Sequence, residues 1–213
     1  MGKQYVIKKV EKMLNEDTWS HLPKISIDRY PWDSNGYKPR VEVSVCYCDT
    51  GLHIYFTTWE NSITVRSFNE NEPVYKDSCV EFFLNPMPEK GSRYMNFEIN
   101  AVGVLLLGIG SGRSDWGLLE KADHSLFNVR SSVPVNGCDS FKGPFWTIEY
   151  TIPFSFIKEH FIEFEPKPGK HMRANFYKCG DATANPHYGC WSPIDVSKPD
   201  FHSPEFFGSI ILE

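Results

Sequence analysis

Apolar and polar positions alternate with period two along much of this chain, as they do in strands with one buried face. In Leu52–Trp59, Leu52, Ile54 and Phe56 alternate with His53, Tyr55, Thr57 and Trp59. Val41–Cys48 precedes that stretch across Asp49-Thr50-Gly51, a turn signal. Tyr5–Val10, Ile63–Arg66, Val104–Ile109, Phe127–Val135, Trp146–Ile152, Met172–Lys178 and Ser209–Leu212 read as further strands, and Thr18–His21 as a turn. Pro153–Phe161 fits a short helix opened by proline. Arg29–Pro39, Asn69–Lys76, Gly108–Gly117 and Cys179–Phe206 read as loops. The pattern of about eleven or twelve short strands between turn signals predicts an all-β fold. We expect an antiparallel, jelly-roll-like β-sandwich with one short helix, in a single domain over residues 1–213.

The most informative stretch is Asp77–Gly103, two strands joined by a turn rich in proline, glycine and charge. Val80, Phe82 and Leu84 share one face with Met95, Phe97 and Ile99 on the second strand. The opposite face carries Glu81, Asn96, Glu98 and Asn100, with Phe83 and Tyr94 beside them. Carboxylates and amides mixed with rings suit a sugar, which has hydroxyls at its edges and C–H groups on its faces. A solvated half of an antiparallel sheet shows the same alternation. In Met172–Lys178, Arg173, Asn175 and Tyr177 again share a face opposite Ala174 and Phe176.

Composition narrows the field. Of 213 residues, 41% are hydrophobic, a globular content, and 15% are aromatic. The net charge of -5, with no basic run, argues against a nucleic-acid partner. The six cysteines show no C-x-x-C spacing and read as free thiols. No apolar run is long enough to span a membrane. The N-terminus, MGKQYVIKKVEKM, lacks the apolar core of a signal peptide. As written the chain reads as cytoplasmic, and as secreted or periplasmic if a leader was removed.

DSCVEFFLNP, YMNFEINAVGVLL, WTIEYTIPFSFI, RANFYKCG, and WSP followed by FHSPEFFGSIIL come in an order that resembles carbohydrate-binding module family 9. The resemblance covers most of the chain. It implies a β-sandwich that binds sugar ends without catalysis, in polysaccharide catabolism and beside glycoside hydrolases. Two rings of that family clasp a terminal sugar, and carboxylate, amide and basic groups hold its hydroxyls. Glu81 matches the acidic position of the D-S-x-x-E strand. Tyr75 falls near one clasping ring, where the family places Trp, and Trp191 matches the second. Asn96, Glu98, Arg173 and Asn175 match by sheet face. No cofactor is required on this reading. Asp77 is the one position nominated for a structural calcium ion.

Two other readings stay open. Glu81 and Glu98 could be the paired carboxylates of a small glycoside hydrolase or lyase. A haem or redox module would need an axial Met or His pair, and Met95 is expected to face the core. The seven histidines form no H-E-x-x-H motif, and no serine sits in a nucleophile elbow.

Overall fold

The computed structural model describes residues 2–11, 16–60 and 62–213. In chain order its elements begin with β1 (Gln4–Lys9), α1 (Glu16–His21), β2 (Ile25–Ile27), β3 (Arg40–Tyr47) and β4 (Gly51–Trp59). The central hairpin is β5 (Cys79–Asn85) and β6 (Tyr94–Asn100), followed by β7 (Leu105–Gly110), β8 (Gly117–Leu118) and β9 (Arg130–Ser131). Then come β10 (Trp146–Pro153), α2 (Phe154–His160), β11 (His171–Cys179), β12 (Tyr188–Cys190) and β13 (Gly208–Leu212).

The strands pair in the order β8-β7-β6-β5-β11-β13-β1-β3-β4-β10-β9, with β12 on β11 and β2 on β3. This sheet folds over at β1 into two layers. The first half of β1 pairs with β13, and its end pairs with β3. Both of those pairings are parallel, so the sandwich is mixed and the all-antiparallel expectation is corrected. A short turn forces its two strands to run antiparallel. β1 meets partners far along the chain, and no hairpin sets its direction.

Between the layers lies an apolar core. Val43, Ile54, Phe56 and Ile148 face Phe82, Phe97 and Phe176, all fully buried. Phe82 stacks on Phe176 with centroids 4.6 Å apart, and Phe56 approaches Phe176 from the other layer. Met95 faces this core, as its position in the alternation predicts. The inner layer also holds a buried ion pair, Lys178 Nζ to Glu60 Oε2 at 3.3 Å. Trp146 Nε1 and Tyr37 OH donate to the same carboxylate.

Several local expectations shift. Ile63–Arg66 is not a strand. The backbone N–H groups of Thr64 and Arg66 donate to the side chains of Ser78 and Asp77, which take the place of a neighbouring strand. Phe127–Val135 shrinks to β9, because Asn128 is left-handed (φ 46°) and breaks the extended run. The turn expected at Thr18–His21 belongs to α1, so the described residues hold two α-helices and not one. Among the described residues no helix is long and apolar enough to cross a membrane.

Candidate functional site

The outer face of the hairpin layer is not solvated. Every residue of β5 and of β6 is buried. Phe83, Tyr94, Tyr177 and Cys79 on this face form a second core with Ile194, Phe201 and Phe207 of the late loop. Phe201 lies flat on Tyr177, with centroids 4.0 Å apart and planes at 6°. The loop thus roofs one end of the sheet, and the roof leaves a cleft of about 520 Å³. That volume lies within the usual range for small-ligand sites, roughly 300–1,000 Å³.

Glu81 and Glu98 form the cleft floor. They stand directly opposite each other on β5 and β6. Cys179 donates its S–H to Glu81 Oε1 at 2.8 Å. Asn96 Nδ2 donates to Glu98 Oε1 at 2.8 Å, and Trp116 Nε1 donates to Asn96 Oδ1 at 2.6 Å. Glu98 Oε2 is buried and has no hydrogen-bond partner. Tyr75, Trp116 and Tyr188 supply rings to the walls. Arg113, paired with Asp200 at 2.8 Å, and Lys198 bring positive charge.

Burial dominates the electrostatics. It pushes the Glu98 carboxyl up to about 8, against the opposing pull of the Asn96 amide and Arg113. It also pushes Glu81 well above the usual carboxylate range, with the neighbouring Cys179 and Glu98 adding to the rise. Both shifts favour the protonated form, which can donate as well as accept. Burial and Arg113 bring His202 down to about 4. Its Nδ1 and Tyr94 OH share a hydrogen bond of 2.6 Å.

Of the residues nominated from sequence, Tyr75, Glu81 and Glu98 line the cleft. Asn96 is fully buried beneath it and orients Glu98 and Trp116. The other nominations need correction. Trp191 is 4% exposed and belongs to the core between the layers. Its ring meets Phe176 edge-on and presses on Gly208, so neither face is open to a ligand. Asn175 shares the sheet face but exchanges hydrogen bonds with the backbone of Ser192. Arg173 lies at the far end of β11, where its guanidinium donates to the carbonyls of Glu205 and Phe207.

Asp77 does not suit a calcium ion. Its carboxylate oxygens accept from Arg66 N, Ser67 N and Asn100 Nδ2, each at 3.0 Å. Those N–H dipoles hold an anion and would repel a cation at the same oxygens.

Arg113, Trp116, Asp181, Tyr188, Asp200 and His202 also line the cleft and are not among the residues nominated from sequence. One signal was present. Gly108 and Gly110 interrupt an apolar strand, which marks a close approach. A Cβ on Gly108 would meet Trp116 Nε1 at 2.4 Å.

A β-sandwich with a polar, ring-walled cleft on one sheet has the build of a binding module. The chain belongs to carbohydrate-binding family 9, whose family model matches residues 9–212. Among solved structures it is similar to a protein from Bacteroides uniformis that was assigned provisionally to carbohydrate binding. The two share 29% identity at a TM-score of 0.84, over 100% of both chains. A family 9 module from Caldicellulosiruptor kristjanssonii in complex with glucose is similar at TM-score 0.67 and 12% identity, over 99% of this chain and 96% of that one. Its complex with cellotriose aligns at TM-score 0.68 and 12% identity, over 99% and 94%. No curated protein sequence matches.

Proposed function

We propose that the cleft binds the terminal sugar of a neutral glycan without cleaving it. The observation that carries this reading is Glu98 Oε2, a buried polar atom without a protein partner on the floor of a ring-walled cleft. An unpartnered buried group is costly, and a sugar hydroxyl would relieve it. Carboxyls whose protonated form is favoured suit hydroxyls, which both donate and accept. Tyr75 is exposed enough to lie against a sugar's C–H face. Glucose and cellotriose, the ligands of the Caldicellulosiruptor module, are the first sugars to try. The setting we favour is polysaccharide breakdown, with a glycoside hydrolase as partner.

The paired carboxylates argue for binding over hydrolysis. A retaining glycosidase needs one carboxyl ionised as nucleophile while the other stays protonated. Here burial raises both, so their environments do not divide the two roles.

Calorimetric titration with glucose, cello-oligosaccharides and a broader glycan set tests the reading. Binding to at least one sugar is expected, and Glu98→Ala should weaken it tenfold or more. Incubation with the bound glycan should release no reducing ends. Turnover abolished by Glu81→Gln would establish the enzyme instead.

A further inference from the structure

We propose that the cleft floor is also a site for a thiophilic divalent cation of the zinc class, held by Cys79 Sγ, Cys179 Sγ and the Glu81 carboxylate. These donor atoms all lie within 4.8 Å of one another, the one such group among the described residues. The sheet register brings them together. Cys79 on β5 stands directly opposite Cys179 on β11, and Glu81 follows two positions along β5 on the same face. Their relative exposures are 0%, 1% and 3%, so strands on both sides hold them in place. Around a tetrahedral zinc ion, sulfur and oxygen ligands sit roughly 3.5 Å apart. Small side-chain rotations bring this triangle to that size.

The donor set selects the metal. Two sulfurs and one carboxylate favour zinc or cadmium over calcium or magnesium, which prefer oxygen alone. A second feature points to the same place. Glu98 stands directly opposite Glu81, and its Oε2 is buried without a partner. Among the described residues neither Glu81 nor Glu98 forms an ion pair with a lysine or arginine. Lys178 projects to the other face of β11 and pairs with Glu60, and Arg113 pairs with Asp200. On binding, each S–H and the Glu81 carboxyl give up their protons to solvent as the sulfur–metal and oxygen–metal bonds form. The hydrogen bond from Cys179 to Glu81 is exchanged for two bonds to the ion. This site does not depend on the sugar reading.

The test uses the full chain, reduced and freed of metal, titrated with Co²⁺ and separately with Cd²⁺. One equivalent is expected to bind, with sulfur-to-metal charge-transfer absorption and a rise in melting temperature. Cys79→Ser and Cys179→Ser should each lose most of that absorption. Glu81→Gln, close in shape, should keep the fold and bind at least tenfold more weakly. The paired change Cys46→Ser with Cys48→Ser controls for the other close thiol site, where Cys48 Sγ lies 3.2 Å from His53 Nε2. Absence of a sulfur-to-metal band in the wild type would overturn the proposal. So would a band lost in the Cys46/Cys48 variant and kept in Glu81→Gln. A Cys79–Cys179 disulfide with no metal uptake after reduction would also overturn it. Glycan titration of the metal-free protein reports on the sugar reading separately.

Discussion

Trp191 and Tyr75 were nominated as a pair, and their surroundings give them opposite roles. Trp191 fills the core between the layers, against Phe176 and Gly208. Trp191→Ala should therefore cost about 3–5 kcal/mol of stability, the usual range for a buried large aromatic. Urea unfolding measures it, and a change below about 1 kcal/mol would return Trp191 to the surface. Tyr75 is 37% exposed at the cleft wall. Tyr75→Ala should leave the melting temperature nearly unchanged and weaken sugar binding about tenfold, since ring contacts are worth roughly 0.5–1.5 kcal/mol beyond burial. Asp77 acts by holding backbone. Asp77→Ala strands the N–H groups of Arg66 and Ser67 and the Asn100 amide, and we expect a loss of about 2–4 kcal/mol. Denaturant titration of the variant checks it.

At the scale of elements, the cleft depends on how β7 receives the loop that follows it. Trp116 folds back over Gly108 and Gly110 and reaches Asn96 on β6. A side chain at Gly108 would collide with the indole, the nearest atom being 2.4 Å away. Gly108→Ala should push Trp116 outward, free Asn96 from it and loosen the hold on Glu98. The expected readings are a red shift in tryptophan emission and weaker sugar binding. An unchanged spectrum with unchanged affinity would show that the strand shifts and the cleft survives. The same element logic governs β1, whose two halves pair with β13 and β3 and so join the layers.

Across the whole molecule, two histidines, His187 buried and His202 half-buried, make stability depend on pH. Burial and Lys178 bring His187 down to about 3, against the Asn185 carbonyl that accepts from its Nδ1 at 2.7 Å. Tyr37 meets the same ring edge-on. His202, held near 4, faces Tyr94, Arg113 and Asp200 and touches Phe83 and Trp116. Each ring is neutral when folded and takes a proton near pH 6.5 when unfolded. Their folded values are depressed, so their contribution is full above about pH 6.5 and is lost as pH falls toward 4 and then 3. Glu98 runs the other way. Its raised value makes its contribution full below about pH 4.5 and lost as pH rises through about 8. The difference between wild type and His202→Gln isolates the histidine. That difference, from urea unfolding at a series of pH values, should shrink between pH 6.5 and 4. A flat difference would mean that His202 is already solvated in the folded protein.

Much of the fold was legible because alternation is a local property. A residue's neighbours two places along tell which face it shares, and that sufficed for β3, β4, β5, β6, β10 and β11. It also put Glu81 and Glu98 on one face and Met95 in the core. The same alternation could not tell solvent from a second core, because the covering loop arrives about a hundred residues later in the chain. Asn96 and Asn175 were judged polar and open for that reason, and both are buried and bonded. Strand direction was equally out of reach for β1, whose partners no short turn prescribes. Arg113, Asp200 and His202 come from two separate loops that meet only over the sheet. Trp191 looked exposed among Gly, Pro and polar residues, but the glycine at position 208 gives it room inside. The sequence determined which residues share a strand face. The tertiary structure decided which faces are covered, because coverage depends on contacts between distant segments that no local period encodes.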